Sequence, residues 1–318
     1  VILCLLPLTG GYHMNLMKAE SPGPSVSKLV PKVQSTAKIL YTIYIILTIV
    51  EIIFLLIGKM PLFDTLCLSF GTAGTGGFGI KNDSIASYST YNQVVITVFM
   101  ILFGINFNAY YLLLTKKVMQ AAKNEEVRYY LGIIGLAIVA IAINTREMFT
   151  SFGSAFQQAA FQVGSIITTT GYATTDFNVW PVFSKTILVI LMFVGACAGS
   201  TGGGIKVSRL LILCKSARKE LQLYLHPNAV KKIKMDDKAI PHEVVRATNM
   251  FLFVYIMIFV TSLLIISLDN LDMVSNFTAI AATLNNIGPG LGAVGPTGNF
   301  NTYSYISKGV MIFDMLAG

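Results

Sequence analysis

The chain has 318 residues, of which 54% are hydrophobic and only 12% charged, and its formal net charge at pH 7 is +8. Soluble domains carry about 25% charged residues, charge that a folded surface needs to stay dispersed in water. With a mean hydropathy of +0.68, the composition excludes a disordered chain and a water-soluble enzyme and points to an integral membrane protein. In such a protein the placement of Lys and Arg matters more than their sum, so the positive excess is no sign of nucleic-acid binding.

In chain order, Val1–Leu8 is apolar from its first residue with no basic stretch ahead of it, which reads as the remainder of a spanning helix rather than a secretion signal. Apolar runs able to cross a core of about 30 Å follow at Thr36–Gly58, Tyr91–Leu114, Val127–Ile143, Val182–Val194 and Ala247–Leu268. Between them lie Leu62–Gly74, Phe152–Thr168 and Asp272–Asn285, which mix small, polar and apolar residues and are too short or too polar to span. Re-entrant half-helices have this composition. Each is followed by a Gly/Thr-rich or Gly/Asn-rich loop, so the order span, half-helix, glycine loop, span recurs. That is an internal repeat of architecture. It divides the chain into 1–35 (the end of one repeat and a linker), 36–126 (a full repeat), 127–243 (a full repeat and its linker) and 244–318 (a last repeat ending within its second span).

Basic residues follow the same division. Lys18, Lys28, Lys32 and Lys38, then Lys116, Lys117, Lys123 and Arg128, and then ten residues from Lys206 to Arg246 sit in the linkers between repeats. Only Lys59, Lys81, Arg146, Lys185 and Lys308 lie near the glycine loops. The excess of Lys and Arg on cytoplasmic loops then puts the linkers in the cytoplasm and the glycine loops on the outer side. Cys4, Cys67, Cys197 and Cys214 show no C-x-x-C spacing and His13, His226 and His242 are scattered, so neither a disulfide framework nor a metal centre is expected, and no cofactor.

The glycine loops carry the chemistry. Thr75-Gly76-Gly77-Phe78 and Thr169-Thr170-Gly171-Tyr172 stand in register, and Asn286-Ile287-Gly288-Pro289 occupies the third place. Non-helical backbone at membrane depth has to line an enclosed, watered cavity, since hydrocarbon offers its amides and carbonyls no partner. Glycine permits the dihedrals that turn successive carbonyls inward, Thr adds a hydroxyl acceptor, and the aromatic can wedge the loop in place. Rings of such carbonyls replace a cation's hydration shell in selectivity filters. One loop alone would read as a turn between short helices; three at equivalent places read as a pore.

A second span is interrupted by Gly195-Ala196-Cys197-Ala198-Gly199-Ser200-Thr201-Gly202-Gly203-Gly204. Glycine costs a helix about 1 kcal/mol relative to Ala, so this stretch breaks the span, as helices do at transport pathways and gates. Lys206 closes it and either points its ammonium at the pore or snorkels to the cytoplasm. Close helix packing through small residues is the alternative. Gly74 to Gly79 matches G-x-G-x-x-G without the strand and helix a dinucleotide site needs, and Ile205 spoils a phosphate-loop spacing before Lys206. Glu51 is an acid well inside a span, either functional or turned to the protein interior. Asn106 and Asn108 are expected to bond across helices or line the vestibule. Asp64, Asp83, Asp176, Asp269 and Asp272 lie near the outer loops and would either concentrate cations or be solvated loop ends.

These strings resemble the Trk/Ktr/HKT superfamily of cation transporters, closest to its bacterial TrkH-type subunits. The resemblance runs essentially end to end and is carried by Pro22-Gly23-Pro24, Gly76-Gly77-Phe78, Thr168 to Asp176, Gly195 to Lys206, His226-Pro227-Asn228-Ala229-Val230 and Ala282 to Gly292. It implies an all-α membrane fold of pseudo-fourfold M1–P–M2 repeats around one potassium pore. It also implies a multi-pass protein of the bacterial inner membrane, a homodimer, and a cytoplasmic ring of nucleotide-binding TrkA-type regulators docked on linkers such as Lys206–Arg246. The family's filter falls on Thr75, Gly76, Gly77, Thr169, Thr170, Gly171, Asn286, Ile287 and Gly288, the only places where K⁺ is expected to be held. Its intramembrane gating loop falls on Gly199, Ser200, Thr201, Gly202, Gly203, Gly204, Ile205 and Lys206. The family's first M1 and first filter loop have no counterpart here, and the last M2 stops at Gly318, before the stretch where the family carries an arginine below the filter. Three quadrants cannot encircle an ion, so the chain alone is expected not to conduct.

The function expected is therefore K⁺ uptake through a carbonyl-lined filter under a glycine-rich gate. The rivals are a Na⁺-permeable or cation-symporting relative and a non-conducting membrane scaffold. A membrane-embedded enzyme is disfavoured because no span carries a paired acid and base, a nucleophile beside a base, or a metal cluster.

Overall fold

A computed structural model describes residues 33–226 and 232–318. The segment read as the end of a preceding repeat, with Pro22-Gly23-Pro24, and residues 227–231, which include most of the His226–Val230 string, lie outside the described residues.

The first described set of helices is α1 (Val33–Ile57), α2 (Leu62–Ala73), α3 (Thr90–Phe103), α4 (Phe107–Leu114) and the short α5 (Val118–Lys123). The second is α6 (Glu125–Asn144), α7 (Phe152–Ile167), α8 (Val182–Val194) and α9 (Val207–Leu225). After a hairpin of β1 (Lys234–Met235) and β2 (Lys238–Ala239) comes the third, α10 (His242–Ile266), α11 (Met273–Leu284) and α12 (Tyr305–Ala317). The all-α membrane fold expected from the sequence is the fold found. At 1.5 Å per residue, the 25 residues of α1 or α10 reach about 37 Å and clear the hydrocarbon core, whereas the 12 of α2 or α11 reach only about 18 Å. Among the described residues, three helices are long and apolar enough to cross a membrane, or up to four if α3 and α4 count as one span.

That pair differs from the single straight span expected over Tyr91–Leu114. The two helices are bent by 91°. Gly104 caps α3, and the Asn106 side chain accepts the Asn108 N–H at 2.9 Å to start α4. A helix cap inside a continuous apolar run leaves hydropathy unchanged while turning the backbone.

The short helices have N-terminal signals where the sequence offers them. Ser151 and Ser154 form a capping box at α7, and Asp272 accepts the Ser275 N–H at α11. The hairpin turns through Asp236 and Asp237, both at positive φ (50° and 61°), the conformation a two-residue type I′ turn requires. One apolar core joins the second and third sets through Tyr130, Ile141, Ile166, Leu188, Ile280 and Leu284. The other fills the first set with Leu55, Leu68, Ile96, Met100 and Phe103, and receives Tyr172 from the second. Meanwhile Ile46, Ile49, Ile53 and Ile57 on α1 and Phe253, Met257, Val260 and Leu264 on α10 are exposed. Each such side chain left in water forgoes about 1.5–3 kcal/mol, so these faces belong in an apolar surrounding, lipid or protein.

Candidate ion pathway

Three loops with one backbone conformation follow α2, α7 and α11. Thr75, Thr169 and Asn286 sit at φ 49°, 59° and 54°, and the glycines two residues on, Gly77, Gly171 and Gly288, at 65°, 84° and 110°. The helix ends are closed alike. The N–H groups of Thr75, Thr169 and Asn286 donate to Thr72, Ile166 and Thr283 carbonyls, and those of Gly76, Thr170 and Ile287 reach back to Gly71, Ser165 and Ala282 at 2.8–2.9 Å. This is the Schellman pattern, whose left-handed position normally belongs to glycine. Placing Thr there costs roughly 1–2 kcal/mol, a strain present at two of the sites, while Asn at the third is a residue that tolerates the conformation. The register expected from the sequence, Thr75/Thr169/Asn286 followed by Gly77/Gly171/Gly288, is the register of the backbone.

The loops also touch one another in order. A Cβ on Gly77 would stand 1.7 Å from the Thr170 carbonyl oxygen, and one on Gly171 would stand 1.8 Å from that of Ile287. The first and second loops therefore each lay a glycine Cα on the carbonyl of the next, forming an arc. A Cβ on Gly288, at the end of that arc, would meet no described atom within 4 Å. Three short helices thus end at adjoining loops, each C-terminus carrying about half a negative charge.

The aromatic residues after the glycines do not behave alike. Tyr172 is fully buried, its hydroxyl donates to Leu68 O at 3.2 Å and its carbonyl accepts from Ser165 Oγ at 2.6 Å. It ties the second loop to α2, as a wedge should. Phe78 is 81% exposed, its ring over Gly76, and wedges nothing.

Directly against the loops lies the glycine-rich break between α8 and α9, with Gly195, Gly199, Gly204 and Lys206 all at positive φ. Gly203 N–H donates to Thr169 Oγ1 at 2.6 Å, and Thr75 Oγ1 donates to Thr201 O at 2.9 Å. A Cβ on Gly203 would lie 3.0 Å from Asn285 O, and one on Gly202 3.0 Å from Thr168 O. Small residues are needed here because the segment approaches the backbone of two loops. On its flank it bonds the bend between α3 and α4: Cys197 N–H to Gly104 O at 3.0 Å and Phe107 N–H to Gly199 O at 3.0 Å. Lys206 neither snorkels nor stands free; it is buried, and its ammonium donates to Gly202 O within the same segment.

One further residue joins this network without a local sequence pattern to announce it. Glu126, in the first turn of α6, is buried and accepts from Ala198 N–H at 2.6 Å, Ser208 N–H at 3.1 Å and Asn106 Nδ2 at 3.3 Å. Asn106 thus bonds across helices, as expected, at the bend. An acid in a helix's first turn is ordinarily there for the dipole, and only the folded chain brings it to Ala198.

Glu51 is fully buried beside Thr72 of α2, on the interior-facing side of α1. Four of the aspartates near the glycine loops act as local ties. Asp64 accepts from the Tyr88 hydroxyl, Asp176 from Asn178 N–H, Asp269 from Ser304 N–H and Asp272 from Ser275 N–H. Hydrogen bonds from the Ser275 side chain and backbone hold the Asp272 carboxyl below the usual carboxylate range.

A model of the TrkH family, described as a cation transport protein, matches residues 2–134 and 129–318. The protein named Trk system potassium uptake protein TrkH from Salmonella typhimurium is 35% identical over 99% of this chain and 66% of its own length. Its namesake from Vibrio parahaemolyticus is 38% identical over the same shares, and the Trk system potassium uptake protein TrkG of Escherichia coli is 32% identical. The crystal structure of the potassium transporter TrkH from Vibrio parahaemolyticus superposes with a TM-score of 0.84 at 35% identity, covering 95% of this chain and 66% of that one. The chain spans about two thirds of the length of these relatives.

Proposed function

The chain belongs to the TrkH family of cation transport proteins, transporters rather than enzymes and built as multi-pass membrane proteins, and from that premise we propose that it forms part of a potassium-uptake pore. K⁺ would shed water against the carbonyls of Thr75, Gly76, Gly77, Thr169, Thr170, Gly171, Asn286, Ile287 and Gly288. The observation that carries this reading is the arc of three loops sharing one left-handed backbone conformation, with Gly77 and Gly171 each against the next loop's carbonyl. A helix C-terminus behind each loop favours a cation at the centre, and carbonyl ligands suit one that must leave as readily as it enters. The relatives' printed names specify potassium.

The segment Gly199–Lys206 is the gate in this proposal. It lies against the loops, and its buried ammonium on Gly202 O would oppose a cation's passage until the segment moves. The linkers would face the cytoplasm across a bacterial inner membrane, supported by their Lys and Arg. They would meet a TrkA-type nucleotide-binding regulator. A groove between α9 and the start of α10, where Lys219, Lys232 and Arg246 outnumber the single acid Glu220, suits an acidic partner surface. The subunit would pair as a homodimer, as the resemblance implies.

Growth of a potassium-uptake-deficient bacterium at limiting K⁺ tests the proposal. The intact protein should rescue growth and its Gly171→Ser variant should not. Rescue that depends on Na⁺ would favour a sodium-permeable relative, and absence of rescue with the protein in the membrane would favour a scaffold.

A further inference from the structure

We infer that Glu126 is the positioning residue that latches the glycine-rich segment against the pore loops, and that the β1–β2 hairpin holds that latch in place. The inference rests on the reading of Gly199–Lys206 as a gate. Three elements converge on one buried carboxylate. Its Oε1 accepts the Ala198 N–H from within the break and the Ser208 N–H from the first turn of α9, while Oε2 accepts from Asn106 at the bend between α3 and α4. Both ends of the movable segment are therefore tied to the same side chain. Charged acceptors make the stronger hydrogen bonds, and a buried backbone N–H left without its acceptor is costly. The segment cannot swing away from the loops without breaking these bonds or carrying Glu126 with it.

The hairpin supports the latch from the linker side. Asp236, in its turn, accepts the Glu125 N–H at 2.8 Å and Asn124 Nδ2 at 3.2 Å, and Asn124 Oδ1 accepts the Val127 N–H at 3.0 Å. Glu125 pairs with Lys215 of α9, whose ammonium also donates to Lys234 O at 2.8 Å. The residues on either side of Glu126 are thus fixed by a hairpin that lies in a linker, where a partner that pulled on β1–β2 would reach the latch through two peptide units. The physical requirement for such coupling is an element with two arrangements that both sites bias.

Cys197 supplies a reporter that does not depend on conduction. It is buried in the break next to Ala198, with its N–H on Gly104 O. In the intact protein with every other cysteine replaced by Ser, the rate of Cys197 modification by a charged methanethiosulfonate is measured in proteoliposomes without regulator, beside rubidium flux. Glu126→Ala should raise both by about tenfold or more, since it removes three bonds to a charged acceptor. Glu126→Gln should raise them less, because its oxygen still accepts from Ala198 and Ser208 while its amide opposes that of Asn106. Asp236→Ala should raise Cys197 reactivity and should not add to Glu126→Ala. A monodisperse Glu126→Ala protein with wild-type Cys197 reactivity overturns the inference. Should that variant not be monodisperse, Glu126→Gln and Glu126→Asp decide by the same criterion. Faster Cys197 modification with no rubidium flux in any protein, wild type included, would uphold the latch and sink the transport reading.

Discussion

Replacing Gly171 with Ala is the most informative single change, because two independent costs fall on one methyl group. The backbone there has φ +84°, and holding a non-glycine residue in the left-handed region costs roughly 1–2 kcal/mol. The added Cβ would stand 1.8 Å from the Ile287 carbonyl oxygen, whereas real Cβ atoms essentially never come closer than 3.0 Å to another atom. The second and third loops must therefore separate by about 1.2 Å, more than twice the ~0.5 Å tolerance of a preorganised site. The obstacle is backbone, which cannot rotate aside as a side chain would, so overpacking adds about 1–3 kcal/mol. In proteoliposomes of the intact protein, rubidium uptake should fall by at least about tenfold, or its discrimination against Na⁺ should collapse, because an ion loses carbonyl ligands at the site that replaces its hydration shell. Gly132→Ala on α6 is the control. Its Cβ would meet nothing within 4 Å, and Ala in place of a helix-interior Gly stabilises by about 0.5–1 kcal/mol. Wild-type flux and selectivity in Gly171→Ala, at normal membrane abundance, would show that the close approach of Gly171 to Ile287 does not shape the ion's path.

Further changes test other contacts. Thr169→Val keeps the shape but removes the acceptor of the Gly203 N–H; it should destabilise by about 1–3 kcal/mol, read as a lower Tm, and raise flux without regulator. Tyr172→Phe removes the hydroxyl bond to Leu68 O and should cost about 1 kcal/mol with a weakened preference for K⁺. Asp272→Ala removes the cap of α11 and should lower stability by about 1 kcal/mol at neutral pH. Because the native carboxyl is held below its ordinary range, its contribution is present above the ordinary carboxylate pKa and lost as pH falls through the lower native value. The gap in Tm between wild type and variant should accordingly close in acid and persist at neutral pH.

The spans and half-helices were legible because hydropathy and length decide them: a 12-residue mixed segment cannot cross a membrane, and α2, α7 and α11 begin and end within a residue or two of where composition put them. Loop register was legible because the pattern repeats, which a single Thr-x-Gly would not have allowed. The bend between α3 and α4 was not, since Gly104 and Asn106 interrupt the backbone without interrupting the apolar run. Residue type alone did not separate Tyr172 from Phe78: one has a carbonyl within reach of its hydroxyl, and the other has no polar handle to hold it inward. Lys206 was read as free to choose between pore and cytoplasm, but its bond to Gly202 O exists only when the break folds back on itself. Glu126 lies 72 residues from Ala198 and 82 from Ser208 in sequence. No local pattern announces a bond of that range. Its only sequence signal was an acid at a helix start, which thousands of helices share for the dipole alone.

Whether the three loops line a path selective for potassium is decided by the diffusion potential across proteoliposomes holding the intact protein. With K⁺ inside, Na⁺ outside and a voltage-sensitive dye, an inside-negative potential set by the K⁺ gradient is expected, abolished by Gly171→Ala and unchanged by Gly132→Ala. A potential that follows Na⁺ instead, or one that survives Gly171→Ala at full size, would contradict it.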